Sequence, residues 1–220
     1  MKINYSVKVL LLTLICLLVL TILLFLFKPL SKYSLWLYLI VITPILFIYG
    51  RVKQIGERFL SGLEGENDVD REAKSLGDDY IYIAGGFDTG KGNIDKIIIG
   101  PKGIWTLEVK SHKGEITFDG QSLLRNNQVL EKNFLSQAYA EAKTLQDFIK
   151  SKIVTDIYVQ PVIVFSSKWA KVRLGLKKYE GVYVVQKAWL KKLITETYVQ
   201  NLSYDIQTKI KMLLINNPHY

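Results

Sequence analysis

The first fifty residues have almost no polar rhythm. Val9 to Phe27 is a run of 19 residues broken only by Thr13 and Thr21, and Tyr33 to Tyr49 is a second run with Pro44 inside it. At 1.5 Å rise per residue the first run would span ~28 Å, close to the ~30 Å hydrocarbon core of a bilayer. Lys28-Pro29 ends it. Tyr33, Trp36, Tyr38 and Tyr49 suit the two membrane interfaces, and proline is tolerated in membrane helices. The pattern predicts a transmembrane hairpin with spans at 9–27 and 33–50. The apolar run exceeds the ~7–15 residues of a signal peptide and no small-residue cleavage site follows, so the anchor is expected to be retained. Lys2 and Lys8 precede the hairpin, Lys28 and Lys32 lie in its turn, and Arg51, Lys53 and Arg58 follow it. The excess of positive charge at the two ends predicts a multi-pass protein of the cell membrane with residues 51–220 on the cytoplasmic side.

From residue 51 the periods become those of a folded domain. Gln54 to Leu76 reads as helix interrupted at Gly62 and Gly65, with Val69, Ala73 and Leu76 on one face. Tyr80–Ala84, Ile94–Ile99 and Ile104–Val109 read as strands, with a glycine-rich loop at Gly85–Gly92 and a short strand at Ile116–Asp119. Phe134–Lys150 is predicted as an amphipathic helix with Phe134, Ala138, Leu145 and Phe148 near one face. Ile157–Phe165 and Val182–Val185 are further strands around a basic loop at 168–178, and helices at 187–195 and 204–215 close the chain. The order predicts an α/β domain with a mixed sheet flanked by helices.

Composition sharpens this division. All 20 acidic residues lie beyond residue 50, and the single cysteine, Cys16, sits in the first apolar run, so no intramolecular disulfide can form. With only His112 and His219 besides, no zinc site is expected. Gly85-x4-Gly90-Lys91 falls short of a phosphate-binding P-loop, because Gly92 stands where Ser or Thr is required and a strand follows instead of a helix.

The hairpin at 94–109 carries the chemistry. If Gly100-Pro-Lys-Gly103 closes it symmetrically, Ile99 faces Ile104 and Asp95 faces Glu108. Opposed residues share a sheet face, about 4.5–5.5 Å apart at Cβ. Lys110, two residues beyond Glu108, points to that face too, while Leu107 and Val109 point to the other. Two carboxylates and a carbonyl make a hard-oxygen site suited to Mg²⁺ or Mn²⁺, with a lysine to stabilise developing charge. The same residues would also serve as surface ion pairs, Glu108 with Lys110 and Asp95 with Lys96 or Lys113.

Gly62-Leu-Glu-Gly65-Glu66, Gly92-Asn-Ile-Asp95, Gly100-Pro-Lys-Gly103-Ile104, Glu108-Val-Lys110, Gly114 and Gln137 occur in an order that resembles the NERD family, the nuclease-related domain. That family is similar to the restriction-endonuclease-like superfamily with its D…(D/E)-x-K signature. The resemblance covers about residues 57–170. It implies an αβββαβ core and metal-dependent hydrolysis of DNA phosphodiesters. It further implies Asp95 and Glu108 as metal ligands, Lys110 as catalytic lysine, Glu66 as a supporting acid on the first helix and Gln137 on the following helix facing the site.

Lys168, Lys171, Arg173, Lys177 and Lys178 form an acid-free run with Trp169 and Tyr179 at its ends. Basic side chains interleaved with aromatics suit phosphate contact and base stacking, anionic lipid headgroups, or a solvated loop. The leading expectation is a membrane-anchored, Mg²⁺-dependent nuclease-like protein acting on DNA. The alternatives are a catalytically silent module that binds nucleic acid or protein, and a membrane-associated structural protein.

Overall fold

The computed structural model describes residues 34–88, 93–153 and 156–217, together with the helical positions Leu12, Ile15, Cys16, Val19 and Ile22. Apart from those five positions, the span predicted at 9–27 lies outside the described residues. The chain divides into two compact units, Met1–Leu60 and Ser61–Tyr220.

Helix α1, Ser34–Lys74, contributes to both units. The sequence predicted a break between a second membrane span and a separate helix starting at Gln54, and this is corrected: nothing between Gly50 and Gln54 ends a helix, since there is neither proline nor capping residue. Gly62 and Gly65 do not interrupt it either. The helix passes through Arg51, Lys53, Glu57 and Arg58, and among the described residues no helix is long and apolar enough to cross a membrane. The hairpin of two spans is therefore not supported.

In the second unit, β1 (Ile81–Asp88), β2 (Asn93–Gly100) and β3 (Gly103–Lys110) form an antiparallel meander. Three short strands follow, β4 (Gly114–Phe118), β5 (Leu123–Arg125) and β6 (Gln128–Val129). Then come helix α2 (Phe134–Lys152) and strands β7 (Val159–Phe165), β8 (Ala170–Val172), β9 (Lys178–Tyr179) and β10 (Val182–Gln186). A 3-10 turn at Lys187–Trp189 leads into α3 (Leu190–Glu196), and α4 (Tyr204–Asn216) closes the chain. The main sheet has the order β1-β2-β3-β7-β10-β9, with β3, β7 and β10 mutually parallel, and is mixed as predicted. A second sheet, β6-β5-β4-β8, stands beside it.

Helices cover both faces of the main sheet. On one, Val69 and Ala73 of α1 pack with Leu190, Leu193 and Ile194 of α3 on Ile98, Trp105 and Leu107. On the other, Leu145, Phe148 and Ile149 of α2 and Ile210 of α4 pack on Ile97, Ile99 and Ile104. Ile97 and Ile99 face one way and Ile98 the other, as the pleat requires.

Three departures from the predicted elements have local causes. The first half of the glycine-rich loop is strand: β1 runs through Gly85 and Gly86 to Asp88 with a bulge between Ala84 and Phe87, and residues 89–92 lie outside the described residues. Gly85 adopts φ 65°, and pairing resumes so that Phe87 is buried against Phe148, ring centroids 5.2 Å apart. The β5–β6 hairpin was missed; Asn126 and Asn127 at φ 50° and 63° form its tip, a two-residue turn that asparagine tolerates. The basic loop contains β8 and the start of β9, because Ala170 inserts into the core beneath it.

Candidate active site

The turn at 100–103 fixes the register of the β2–β3 pair. Ile99 pairs with Ile104 and Lys96 with Leu107, where the ladder stops. Beyond it the Asp95 side chain takes over, accepting a hydrogen bond from the Val109 N–H at 2.9 Å through Oδ2. A strand residue presents its N–H and C=O to the same side, so the Val109 carbonyl lies on the Asp95 side of β3 as well.

Alternation then sorts the charged residues. Asp95 shares its face with Ile97 and Ile99, beneath α2. Glu108 and Lys110 belong to the same face. Glu108 is buried, 5% exposed, and its Oε1 accepts from the Lys110 ammonium and from Gln137 Nε2 at 3.2 Å. Leu107 and Val109 pack on the opposite side, against α1 and α3. Lys96 also lies on that opposite side, where its ammonium meets Asp70 at 2.5 Å, so it does not pair with Asp95.

Helix α2 brings three residues to this face. Its N-cap, Asn133, accepts from the Ser136 N–H at 3.0 Å and sets the first turn. Phe134 places its ring under the Lys110 ammonium, 4.4 Å from the centroid. Gln137, one turn on, donates to Glu108 and also to Glu141 Oε1 at 3.0 Å.

Glu141 was not singled out as a site residue, yet it is 5% exposed and belongs to this cluster. It occupies the same stripe as Phe134, Ala138, Leu145 and Phe148; an acid inside an apolar stripe was the available signal. Burial, together with the negative charges of Glu108 and Asp95, pushes its carboxyl up to about 7, against the opposing hydrogen bond from Gln137. Glu108 is likewise raised, by burial and then by Asp95, with Lys110 working the other way.

Glu66 is placed differently. It is exposed on α1, the helix packed on the opposite face, where its charge acts on Tyr82 of β1. Its neighbour Gly65 lies against Ser166, the residue after β7: a Cβ there would collide with the Ser166 hydroxyl and lie 3.0 Å from Ser166 Cβ, and Ser166 N–H donates to the Lys110 carbonyl at 2.9 Å. His112 is half-buried edge-on to Phe134 and Phe165, with ring centroids at 5.6 and 6.3 Å; burial and the nearby Arg125 and Lys110 charges lower its pKa.

The donor set fits a hard divalent ion: two carboxylates on one face, a strand carbonyl beside them, and a local excess of negative charge. Among the described residues no three histidine, cysteine or acidic side chains come together to hold a metal alone. An ion here would keep part of its water shell, as Mg²⁺ commonly does.

The predicted basic residues are all exposed, but not all are available. Arg173 Nε is bound to Glu115 at 3.0 Å, and Lys171 lies opposite Glu115 across the β4–β8 pair. Lys168, Lys177 and Lys178 each lie over aromatic rings.

No curated protein and no solved structure matches the chain. Residues 61–166, which hold α1's final turns, the Asp95–Glu108–Lys110 face and the Gln137 helix, match the family model of NERD, the nuclease-related domain.

Proposed function

We propose that this chain is a membrane-anchored, metal-dependent nuclease-like protein that hydrolyses DNA phosphodiesters on the cytoplasmic side, through a restriction-endonuclease-like core. The observation that carries this reading is the gathering of Asp95, Glu108, Lys110 and Gln137 on one face of the β2–β3 hairpin, within the region that matches the nuclease-related family.

Each residue has a distinct task. Asp95, held by the Val109 N–H, and Glu108, held by Gln137, would bind Mg²⁺ or Mn²⁺ together with the Val109 carbonyl. Such an ion, when bound, lowers the pKa of water and offsets phosphoryl charge. The ring of Phe134 and the carboxylate of Glu108 hold the Lys110 ammonium at the mouth of the site, where it can donate to a phosphoryl oxygen as charge develops there. Gln137 keeps Glu108 oriented, because its amide nitrogen is shared with Glu141.

Support for the bilayer comes from the first unit. Trp36, Ile40, Phe47, Ile48, Ile55 and Phe59 are exposed apolar side chains on α1, a pattern that calls for a lipid or protein covering. The run at 9–27 supplies the uncharged apolar stretch that α1, with its charged residues from Arg51 onward, does not.

The closed state of the site favours a second reading, a silent binding module. Glu108 is buried, and both Lys110 and Gln137 already occupy one of its oxygens. Incubating the full chain in detergent with plasmid and linear DNA, in Mg²⁺, Mn²⁺ or chelator, separates the two. Metal-dependent cleavage supports the nuclease; none on any DNA or RNA leaves the binding module.

A further inference from the structure

Trp169 is 61% exposed, unusually so for the largest side chain, and its backbone is held by the strand that follows the site strand. β3 ends at Lys110, whose carbonyl accepts from Ser166 N–H, and four residues later Gly114 N–H donates to the Trp169 carbonyl at 3.0 Å. Four residues of chain reach at most ~14 Å. Trp169 is therefore anchored a short step from the Lys110 end of the candidate site. Gly114, at φ 104° and with the Asn126 side-chain amide where a Cβ would be, holds that anchor in place.

A second exposed indole stands beyond the other end of β8. Trp189, 49% exposed, lines a cavity of about 330 Å³ with Val172, Leu176 and Val184. Cations accompany both rings: Lys168 Nζ is 5.3 Å from the Trp169 centroid, and Lys192 Nζ is 5.3 Å from that of Trp189. An indole accompanied by an ammonium group thus stands at either end of β8, the first of them next to the site.

Resting on the nuclease reading above, we propose that this surface is a binding track for single-stranded nucleic acid, with unpaired bases stacking on Trp169 and Trp189 and phosphates meeting Lys168 and Lys192. A duplex hides its base faces inside the stack and offers only its backbone, so it has no use for an exposed indole; a single strand uses both. An anionic bilayer would also attract lysines and tryptophans. A membrane-contact surface, however, needs no continuity with the catalytic strand, and the Trp169–Gly114–Lys110 connection supplies that continuity.

The test measures binding of the full chain in neutral detergent, with chelator present so that no cleavage is needed. The probes are a labelled oligothymidylate, a blunt duplex of equal length, and vesicles containing anionic phospholipid. The expected result is tighter binding of the single strand than of the duplex. Trp169→Ala should weaken it by about 5- to 150-fold, the range for losing one base stack. Trp169→Phe should retain most of it, Trp189→Ala should act in the same direction, and Lys168→Ala should reduce the salt slope by about 0.7. Equal loss on duplex and single strand, no loss on either, or loss confined to vesicles would overturn the track. Single-strand binding that depends on Trp169 in a protein that cleaves nothing would keep the track and remove the nuclease. Cleavage with an unaltered single-strand affinity in Trp169→Ala would do the reverse.

Discussion

The Asp95 carboxylate accepts the Val109 N–H at 2.9 Å, directly past the point where the β2–β3 ladder ends. A side chain thus does the work of a backbone acceptor, and a carboxylate that carries this bond cannot swing away from the strand that holds Glu108.

Replacing it tests the site. Asp95→Ala should lower metal-dependent cleavage by orders of magnitude, while DNA binding without metal stays the same or tightens, since a repulsive charge has gone. Lys110→Ala should abolish cleavage with little change in metal affinity, since an ammonium does not ligate an ion. Gel cleavage assays with calorimetric Mn²⁺ titration read both. Unaltered cleavage in Asp95→Ala would place the site elsewhere.

The buried acid Glu141 gives a pH dependence of defined sign. Its folded pKa of about 7 is above the ordinary ~4.3, so the folded protein holds a proton that the unfolded chain releases. Its contribution to stability therefore falls as pH rises from about 4.3 to about 7 and is level above that. Without metal, Glu141→Gln should flatten this decline and be more stable than wild type at pH 8 by about 1–3 kcal/mol, with little difference at pH 4. Urea titrations at the two pH values check it; a variant less stable at pH 8 would refute the assignment.

Much of this face was legible beforehand. Gly100-Pro-Lys-Gly103 set the register, alternation then placed Asp95, Glu108 and Lys110 together, and the resemblance to the nuclease-related family pointed to Gln137 on the following helix. Two things were not legible. Glu66 follows the same spacing as Val69 and Ala73, and spacing shows that residues share a stripe without showing which sheet face the stripe covers. Glu141 lies in the apolar stripe of α2, but an acid on a helix reads by default as solvated, and its partner Glu108 on β3 comes from a strand distant in sequence. The continuity of α1 was missed for a related reason: glycines in a helix cost only about 1 kcal/mol each, and packing outweighs that.

Gly65 shows such packing. Its backbone lies against Ser166, which is 1% exposed and has no room to yield. Gly65→Ala should destabilise by about 1–3 kcal/mol despite alanine's better helix propensity, and Ser166→Gly in the same chain should restore most of it. Thermal or urea unfolding reads the pair; a stabilised single variant would mean that α1 does not approach β7 this closely.

On the same side of the sheet, Lys96 is nearly buried and ion-paired to Asp70, which Tyr82 also supports through its hydroxyl at 2.6 Å. Asp70→Asn strands that ammonium and should cost about 2–4 kcal/mol, less than for a fully buried pair because the Asp70 side chain is 25% exposed. Lys96→Met added to it should recover most of the loss. A double variant no better than the single would show that the pair is not what holds this corner.

For the anchor, the full chain should remain in the membrane fraction after alkaline carbonate extraction, with residues 51–220 protected from protease in sealed cells. Release into the supernatant would end the bilayer assignment, and digestion from outside would reverse its orientation.

The parallel pairing of β3 with β7 has a consequence for biosynthesis. Lys110 and Ser166, joined across that pair, are 56 residues apart in sequence. The strand carrying Glu108 and Lys110 leaves the ribosome long before its neighbour does, and a nascent chain ending before residue 159 has only β2 to flank it. Contacts of such separation form late, because loop closure must precede them. A site built on this pairing is therefore completed only once β7 has been made, and a fragment that stops short of β7 would not have it.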